Sequence, residues 1–177
     1  MKNVLIVSSS PRKNGNSELL CKEFCEGALE MGHNAELVRL ADLRIGYCKG
    51  CYACRKKGRC VQEDDMPALL EKVRAADVLV LATPVYFYCM SAQLKTFIDR
   101  LFFAYSDVHA DIYLIITAHD TDMPLLEQTA EAIRGCTRDC FVDCEEKGCL
   151  IVGGVGKRGE VIGREEMETA FEMGRNC

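Results

Sequence analysis

Residues 4–17 read VLIVSSSPRKNGNS, and this stretch decides how the rest of the chain is interpreted. Val4 to Val7 is a continuous apolar run, as found in strands that are buried on both faces of a sheet. Ten polar or turn-forming residues follow, and a helical pattern opens at Glu18. Such a loop, placed before a helix N-terminus, suits a phosphate group because loop N–H groups and the helix dipole favour negative charge. A polar connection that simply ends in a capped helix would give the same pattern.

The loop after this first strand lacks two common phosphate-binding signatures. It contains no GxxxxGK[ST], which argues against a nucleoside triphosphate site of the Walker type. It does not contain GxGxxG either, the fingerprint of dinucleotide-binding folds. A serine-rich loop with a single arginine suits a terminal phosphate monoester instead.

The composition describes one globular domain. The chain has 177 residues, of which 49% are hydrophobic and 28% are charged, enough for a central sheet with helices on both faces. The net charge of −5 argues against nucleic acid as a main partner. No apolar run of about 18 residues is present, so we expect no membrane span. We expect residues 1–177 to form a single domain with a cysteine-rich loop at residues 41–65.

Twelve cysteines are the unusual feature of the composition. No export signal is visible before the first strand, so we expect a cytoplasmic protein. A cysteine-rich chain in a reducing compartment is expected to have free thiols or a metal site instead of a disulfide framework.

Apolar strand patterns alternate with helical patterns along the whole chain. Such alternation predicts parallel strands, right-handed crossovers and a sheet covered by helices on both faces. Five strands with a phosphate loop after the first fit an α/β flavodoxin-like fold with strand order 2-1-3-4-5. The expected strands are residues 4–7, 34–40, 78–82, 112–117 and 149–153, and a long helix is expected at residues 124–146.

Ligands of such folds bind beyond the carboxyl ends of the strands, where three loops should converge here. These loops are residues 8–17, 83–90 and 118–123. The second loop places three consecutive aromatic residues, Tyr86 to Tyr88, in a chain without tryptophan. These rings would form walls for a flat ring system, or they would simply cover the end of the core. Together with the phosphate loop, they favour a flavin site.

Four cysteines in the long loop follow the pattern C-x2-C-x2-C-x5-C, at Cys48, Cys51, Cys54 and Cys60. Two-residue spacers allow successive thiolates to surround an iron–sulfur cluster, with the fourth thiolate arriving from further along the chain. Zinc also accepts four thiolates, and free thiols in a loop over the flavin are a third possibility. A second group has spacing i, i+4 and i+8 and is expected on the buried face of one helix: Cys136, Cys140 and Cys144.

Three motifs resemble the NADPH-dependent FMN reductase family, in particular its iron–sulfur flavoprotein branch: SPRKNGNS, PVYF followed by SAQLKTFIDR, and the cysteine loop ending in DDM. The resemblance implies a flavodoxin-like fold with non-covalent FMN. It implies that the FMN phosphate contacts Ser10, Pro11, Arg12, Asn16 and Ser17. It implies that the isoalloxazine ring contacts Pro84, Val85, Tyr86, Phe87, Thr117 and Ala118. The four loop cysteines have the spacing expected of the ligands of a 4Fe-4S cluster in that branch.

Three functions fit these patterns. The first is an FMN-dependent oxidoreductase that passes electrons from NAD(P)H to a quinone, a flavin or a similar small acceptor. The second is an iron–sulfur flavoprotein electron carrier with a ferredoxin-like partner, and the third is a non-catalytic flavin or metal-binding module. Because the flavin supplies the chemistry, no catalytic side chain is assigned. The resemblance also implies a homodimer or a larger homo-oligomer.

Overall fold

Five strands form a parallel sheet in the structure, a computed structural model that describes residues 1–177. They are β1 (Asn3–Ser8), β2 (Asn34–Arg39), β3 (Val78–Tyr86), β5 (Asp111–Thr117) and β6 (Glu145–Val152), and a two-residue strand, β4 (Cys89–Met90), pairs antiparallel with the end of β3. The order across the sheet is β2-β1-β3-β5-β6. Apart from the added β4, this is the flavodoxin-like order that the sequence predicts, so the fold is confirmed.

Six helices connect the strands and cover both faces of the sheet. They are α1 (Asn16–Glu30), α2 (Ala53–Lys57), α3 (Met66–Ala75), α4 (Ala92–Arg100), α5 (Met123–Thr137) and α6 (Glu165–Arg175). Alternate residues of β1 point to opposite faces, so Leu5 and Val7 pack with α3, α4 and α5, whereas Val4 and Ile6 pack with α1 and α6. None of the helices combines the length and apolar character that a membrane crossing needs.

The strand register brings the three predicted loops to one edge of the sheet. Ser8, the last residue of β1, lies opposite Ala82 of β3, and Pro84 lies opposite Thr117, the last residue of β5. The loops that follow these positions therefore leave the sheet at the same edge and side by side. This convergence, predicted from the strand pattern, is present in the structure.

The helix predicted at residues 124–146 is shorter in the structure. In the structure α5 ends at Thr137, and the amides of Cys140 and Phe141 both donate back to the carbonyl of Cys136 at 3.1 Å. The next strand then begins at Glu145, because that residue pairs with Asp111 of β5. Pairing at the sheet edge overrides the local helical pattern. Consequently Cys140 and Cys144 do not share a buried helix face with Cys136, and Cys140 is exposed.

Helices α1 and α6 cross at very short range through two glycines. A Cβ at Gly174 would lie 2.0 Å from the carbonyl oxygen of Phe24, and one at Gly27 would lie 2.1 Å from that of Phe171. Any side chain would push the helix backbones apart. Glycine is therefore required at both positions for this packing.

We expect Gly174→Ala to lower the free energy of unfolding by about 3 kcal/mol, because the added methyl group overpacks the helix crossing. The matched control is Gly135→Ala in α5, where a Cβ would meet nothing within 4 Å. That substitution should raise stability by about 0.5–1 kcal/mol, since alanine restricts the unfolded chain more than glycine does. Chemical denaturation of both variants checks the prediction, and equal effects would contradict it.

Candidate functional site

The loop between β1 and α1 is closely packed, and the buried hydroxyls of Ser8 and Ser17 at its two ends have no hydrogen-bond partner. Ser10 Oγ accepts a hydrogen bond from the Arg12 amide at 3.2 Å, and a Cβ at Gly15 would lie 2.7 Å from the same oxygen. Ser17 is 1% exposed, and its Oγ has no hydrogen-bond partner. No side chain caps α1, so its first amides also lack side-chain acceptors. A hydroxyl and helix amides without acceptors fit an FMN phosphate at this position.

The other polar side chains of this loop bind a glycine-rich segment near the C-terminus. Asn16 Nδ2 donates to the carbonyl oxygens of Val155 at 3.0 Å and Lys157 at 2.8 Å, and its Oδ1 accepts from Val161 N at 3.3 Å. Only the backbone N–H of Asn16 is therefore left for a phosphate. Arg12 is exposed and donates from Nη1 to a carbonyl of the same segment at 2.8 Å. The remaining N–H groups of its guanidinium are available to an anion.

This glycine-rich segment contains a pattern that the first loop lacks. Residues 154–159 read GVGKRG and so have GxGxxG spacing directly after β6. In the structure turns follow, and α6 begins only at Glu165, so no helix starts directly after these glycines. The carbonyls of the segment instead accept hydrogen bonds from Arg12 and Asn16. The segment lies over the phosphate loop as a strap and is not a dinucleotide fingerprint.

The second loop is a hairpin, whereas the sequence predicts an irregular connection at residues 83–90. Val85 pairs with Met90 across the hairpin, and Phe87 and Tyr88 form its two-residue turn with φ values of 51° and 55°. Two left-handed residues define the turn that suits a tight hairpin, but aromatic side chains rarely adopt this conformation. Strained backbone of this kind occurs mostly at functional sites. Phe87 is fully exposed, so its ring does not cover the core.

A hydrogen bond connects this hairpin to the third loop. The Tyr88 hydroxyl donates to Asp120 Oδ2 at 2.9 Å. Asp120 Oδ1 accepts from the amides of Thr121 at 2.7 Å and Asp122 at 3.0 Å. The amide of Asp122 and the Tyr88 hydroxyl lower the pKa of Asp120. The carboxylate therefore fixes the position of the tyrosine ring. Sequence patterns do not indicate this role, because the two residues are 32 positions apart.

The other residues predicted to contact the ring lie at the ends of β3 and β5, below the hairpin and the third loop. Pro84 and Val85 are half-buried at the end of β3, and Tyr86 is exposed beside the turn. Thr117 and Ala118 are each 4% exposed at the end of β5. The predicted residues are thus brought together at one edge of the sheet, with the exposed aromatic residues outermost.

Three buried hydroxyl groups hold the first two loops together. Ser91 caps α4 and donates from Oγ to Ser9 Oγ at 2.9 Å, and Ser9 Oγ donates to the carbonyl of Ala82 at 2.8 Å. The Ser91 amide donates to Thr83 Oγ1 at 2.9 Å. The Ser9 hydroxyl is therefore occupied by hydrogen bonds to β3 and the start of α4. This network makes the edge of the site rigid.

The four loop cysteines line one cavity of about 790 Å³ between the loop, α4 and α5. Cys48 and Cys51 are exposed, Cys54 and Cys60 are half-buried, and all four are free thiols. Four thiols around one space are a donor set that fits an iron–sulfur cluster. No three His, Cys, Asp or Glu side chains are close enough to form a metal site in this structure. The structure thus shows the shared cavity but no preformed ligand geometry. Two further thiols, Cys136 and Cys140, line the same cavity.

The middle of the cysteine loop is basic, and the acidic residues of the loop, Asp42, Glu63, Asp64 and Asp65, lie at its two ends. Residues 43–62 contain six Lys or Arg residues and no Asp or Glu, although the net charge of the chain is −5. Arg55 stacks its guanidinium over the rings of Tyr52 and Phe102, 5.8 and 5.0 Å from their centroids. Of these six residues, Lys49 lines the thiol cavity.

Two curated proteins of similar sequence are iron–sulfur flavoproteins. An iron–sulfur flavoprotein of Methanocaldococcus jannaschii is 41% identical over 97 residues, which are 55% of this chain and 50% of that protein. One from Archaeoglobus fulgidus is 43% identical over 95 residues, which are 54% of this chain and 43% of that protein. The matched stretch thus spans only about half the length of these curated relatives.

Two solved structures share the fold. An NAD(P)H:quinone oxidoreductase from Methanothermobacter marburgensis superposes with a TM-score of 0.79 at 23% identity, covering 99% of this chain and 96% of that one. An FMN-dependent NADH-azoreductase from Bacillus anthracis, solved in complex with FMN, gives 0.72 at 14% identity, covering 98% of both. These identities are low, so the two structures support the fold alone.

The family itself follows from the sequence profile. Residues 2–121 match that of NADPH-dependent FMN reductase, and this range includes the phosphate loop, the cysteine loop, the aromatic hairpin and the start of the third loop. FMN is the cofactor that this match supports. The chain therefore belongs to the NADPH-dependent FMN reductase family.

Proposed function

We propose that this chain is an FMN-dependent oxidoreductase that transfers electrons from NAD(P)H to a quinone, a flavin or a similar small acceptor. The observation that best supports it is the buried, unpartnered Ser17 hydroxyl at the uncapped start of α1, next to the strained aromatic hairpin. The Ser17 hydroxyl and the start of α1 suit the phosphate of FMN, and the aromatic hairpin suits its ring.

The side chains have positioning roles in this proposal. Ser10, Ser17 and Arg12 hold the phosphate, and the segment at residues 155–161 shields it from water. Residues 84–87 and 117–118 enclose the ring, and Asp120 keeps Tyr88 in place beside it. FMN, when bound, supplies the two-electron hydride chemistry.

We also propose that Cys48, Cys51, Cys54 and Cys60 hold an iron–sulfur cluster. Support comes from their C-x2-C-x2-C-x5-C spacing, from the cavity that they share, and from relatives named iron–sulfur flavoproteins. Zinc accepts the same four thiolates, so iron and sulfide analysis of anaerobically prepared protein distinguishes the two.

The test of the main proposal mixes anaerobic, FMN-loaded protein with NADH or NADPH. We expect the flavin absorbance at about 450 nm to bleach and to return when a quinone is added, because reduced flavin passes both electrons on. Protein whose cysteine loop holds no iron should react in the same way. Failure of both nucleotides to reduce the flavin would contradict the reductase proposal.

The basic cysteine loop favours a second candidate, an electron carrier that exchanges electrons with an acidic ferredoxin-like protein. Five basic residues between Lys49 and Arg59, with no acidic residue among them, suit a negatively charged partner. This function predicts poor direct reaction with NAD(P)H and fast reduction by a reduced ferredoxin. The rate with ferredoxin should fall steeply as salt is added, because screening weakens the attraction between the proteins.

We further propose that the chain forms a homodimer or a larger homo-oligomer, since two-fold assemblies are the commonest arrangement of soluble proteins. Light scattering at micromolar concentration should give a mass at least twice the 19.8 kDa of one chain. A mass of one chain would contradict the proposal.

A further inference from the structure

Two of the family-like motifs meet at one buried ion pair. Arg100 is the last residue of SAQLKTFIDR, and Asp64 is the first aspartate of DDM. Arg100 Nη1 lies 2.6 Å from Asp64 Oδ2, and Nη2 lies 3.0 Å from Oδ1. Only 1% of the Arg100 side chain and 11% of the Asp64 side chain are exposed. The pair is thus a bidentate bridge enclosed by protein, from the end of α4 to the end of the cysteine loop.

The same guanidinium contacts both ends of the cysteine loop. Nη1 also donates to the Gly46 carbonyl at 2.6 Å, two residues before Cys48. Nη2 lies 3.5 Å from the Sγ of Cys60, the last cysteine of the pattern. Asp64 reinforces the closure by accepting from the Gly46 amide at 3.0 Å. The Arg100 side chain therefore fixes the positions of both ends of the cysteine loop and of the Cys60 thiol.

Stability alone does not explain this burial. Arg100 Nε is buried without a hydrogen-bond partner, so desolvation of the guanidinium is not fully compensated. A buried ion pair is often no more stabilising than apolar residues of the same size. The planar Arg100 guanidinium instead contacts two carboxylate oxygens, a carbonyl oxygen and a sulfur at once. Such a set of contacts suits a side chain that fixes the positions of its neighbours.

We propose that Arg100 is the positioning residue of the cysteine site, which holds both ends of the loop and places a permanent positive charge and an N–H donor on the sulfur of Cys60. The electrostatic part rests on the proposed iron–sulfur cluster, whereas the loop-holding part does not. A cation beside a cluster sulfur favours the more negative, reduced form and so raises its reduction potential.

The first experiment uses metal-free protein and therefore does not depend on the cluster. Trypsin can cut inside the loop after Lys49, Arg55, Lys56, Lys57 or Arg59. We expect Arg100→Gln to speed cleavage at these sites about tenfold, because the loop opens when its ends are released. The control is Arg74→Gln, since Arg74 pairs with Asp107 and Glu71 away from the loop. Wild-type cleavage rates in Arg100→Gln, or equal acceleration in both variants, would overturn the proposal.

The second experiment measures the reduction potential of the cluster in reconstituted protein, with the potential of bound FMN as an internal reference. Arg100→Gln should shift the cluster potential to a more negative value and leave that of FMN in place. Arg100→Lys keeps the charge without the fork, so it should restore the potential but not the resistance to trypsin. An unchanged cluster potential in Arg100→Gln would overturn the electrostatic role.

The outcomes separate this inference from the proposed cluster. If wild-type protein holds no iron, the cluster proposal and the electrostatic role are both refuted, and the trypsin comparison alone decides whether Arg100 holds the loop. If Arg100→Gln is too unstable to purify, trypsin cleavage of Arg100→Lys still tests the loop-holding role. In Arg100→Lys, cleavage faster than in wild type supports the loop-holding role, wild-type cleavage refutes it, and a shifted cluster potential would contradict the role of the charge.

Discussion

Cys51→Ser is expected to remove most of the bound iron from anaerobically reconstituted protein while FMN stays bound at the wild-type level. A serine hydroxyl replaces one of four thiolates that an iron–sulfur cluster needs, and thiolates are its preferred ligands. The phosphate loop that should hold FMN belongs to a different segment of the chain, between β1 and α1. Iron, sulfide and flavin analysis of the same sample measures both contents.

The matched control is Cys140→Ser. Cys140 lines the same cavity as Cys51 but lies outside the C-x2-C-x2-C-x5-C pattern. Since its side chain is exposed, we expect wild-type iron content and little change in stability. Equal iron loss in both variants would show that the cavity, and not the four-cysteine pattern, defines the site. Wild-type protein without stoichiometric iron would show that the loop holds no cluster.

Local sequence patterns were sufficient to predict the sheet and the edge at which the three loops converge. Apolar runs such as Val4 to Val7 mark strands by themselves, and their alternation with helices leaves few possible topologies. Once the order is known, the ends of β1, β3 and β5 must lie together. That order brings the phosphate loop and the aromatic residues together, whereas the four cysteines were recognised by their own spacing and their cavity against α4 and α5 was not predicted.

The features that could not be predicted depend on contacts between distant residues. The end of α5 depends on the pairing of Glu145 with Asp111, and no local signal marks that position. The hydrogen bond between Tyr88 and Asp120 joins residues 32 positions apart. The same holds for Asn16, which the family resemblance assigns to the phosphate but whose side chain holds the strap near Val155.

The strap also changes what a substitution at Arg12 tests. Arg12 has two possible tasks, since one N–H donates to Gly156 and the others are free to meet a phosphate. Loss of the first would loosen the strap on the loop between β1 and α1 and so weaken any flavin bound against that loop, whereas loss of the second would affect only ligands that have a phosphate. Riboflavin has the same ring and no phosphate, so it separates the two tasks.

Arg12→Ala should weaken FMN binding about 10- to 100-fold and riboflavin binding much less, because a hydrogen bond to a charged group contributes about 1.5–3 kcal/mol. Lys13→Ala is the matched control, since it removes the same charge from the same loop at an exposed neighbouring position. We expect that control to change FMN affinity only slightly. Fluorescence titration of flavin-free protein with both ligands gives the four affinities. Equal losses for FMN and riboflavin in Arg12→Ala would mean that Arg12 holds the strap and does not contact the phosphate.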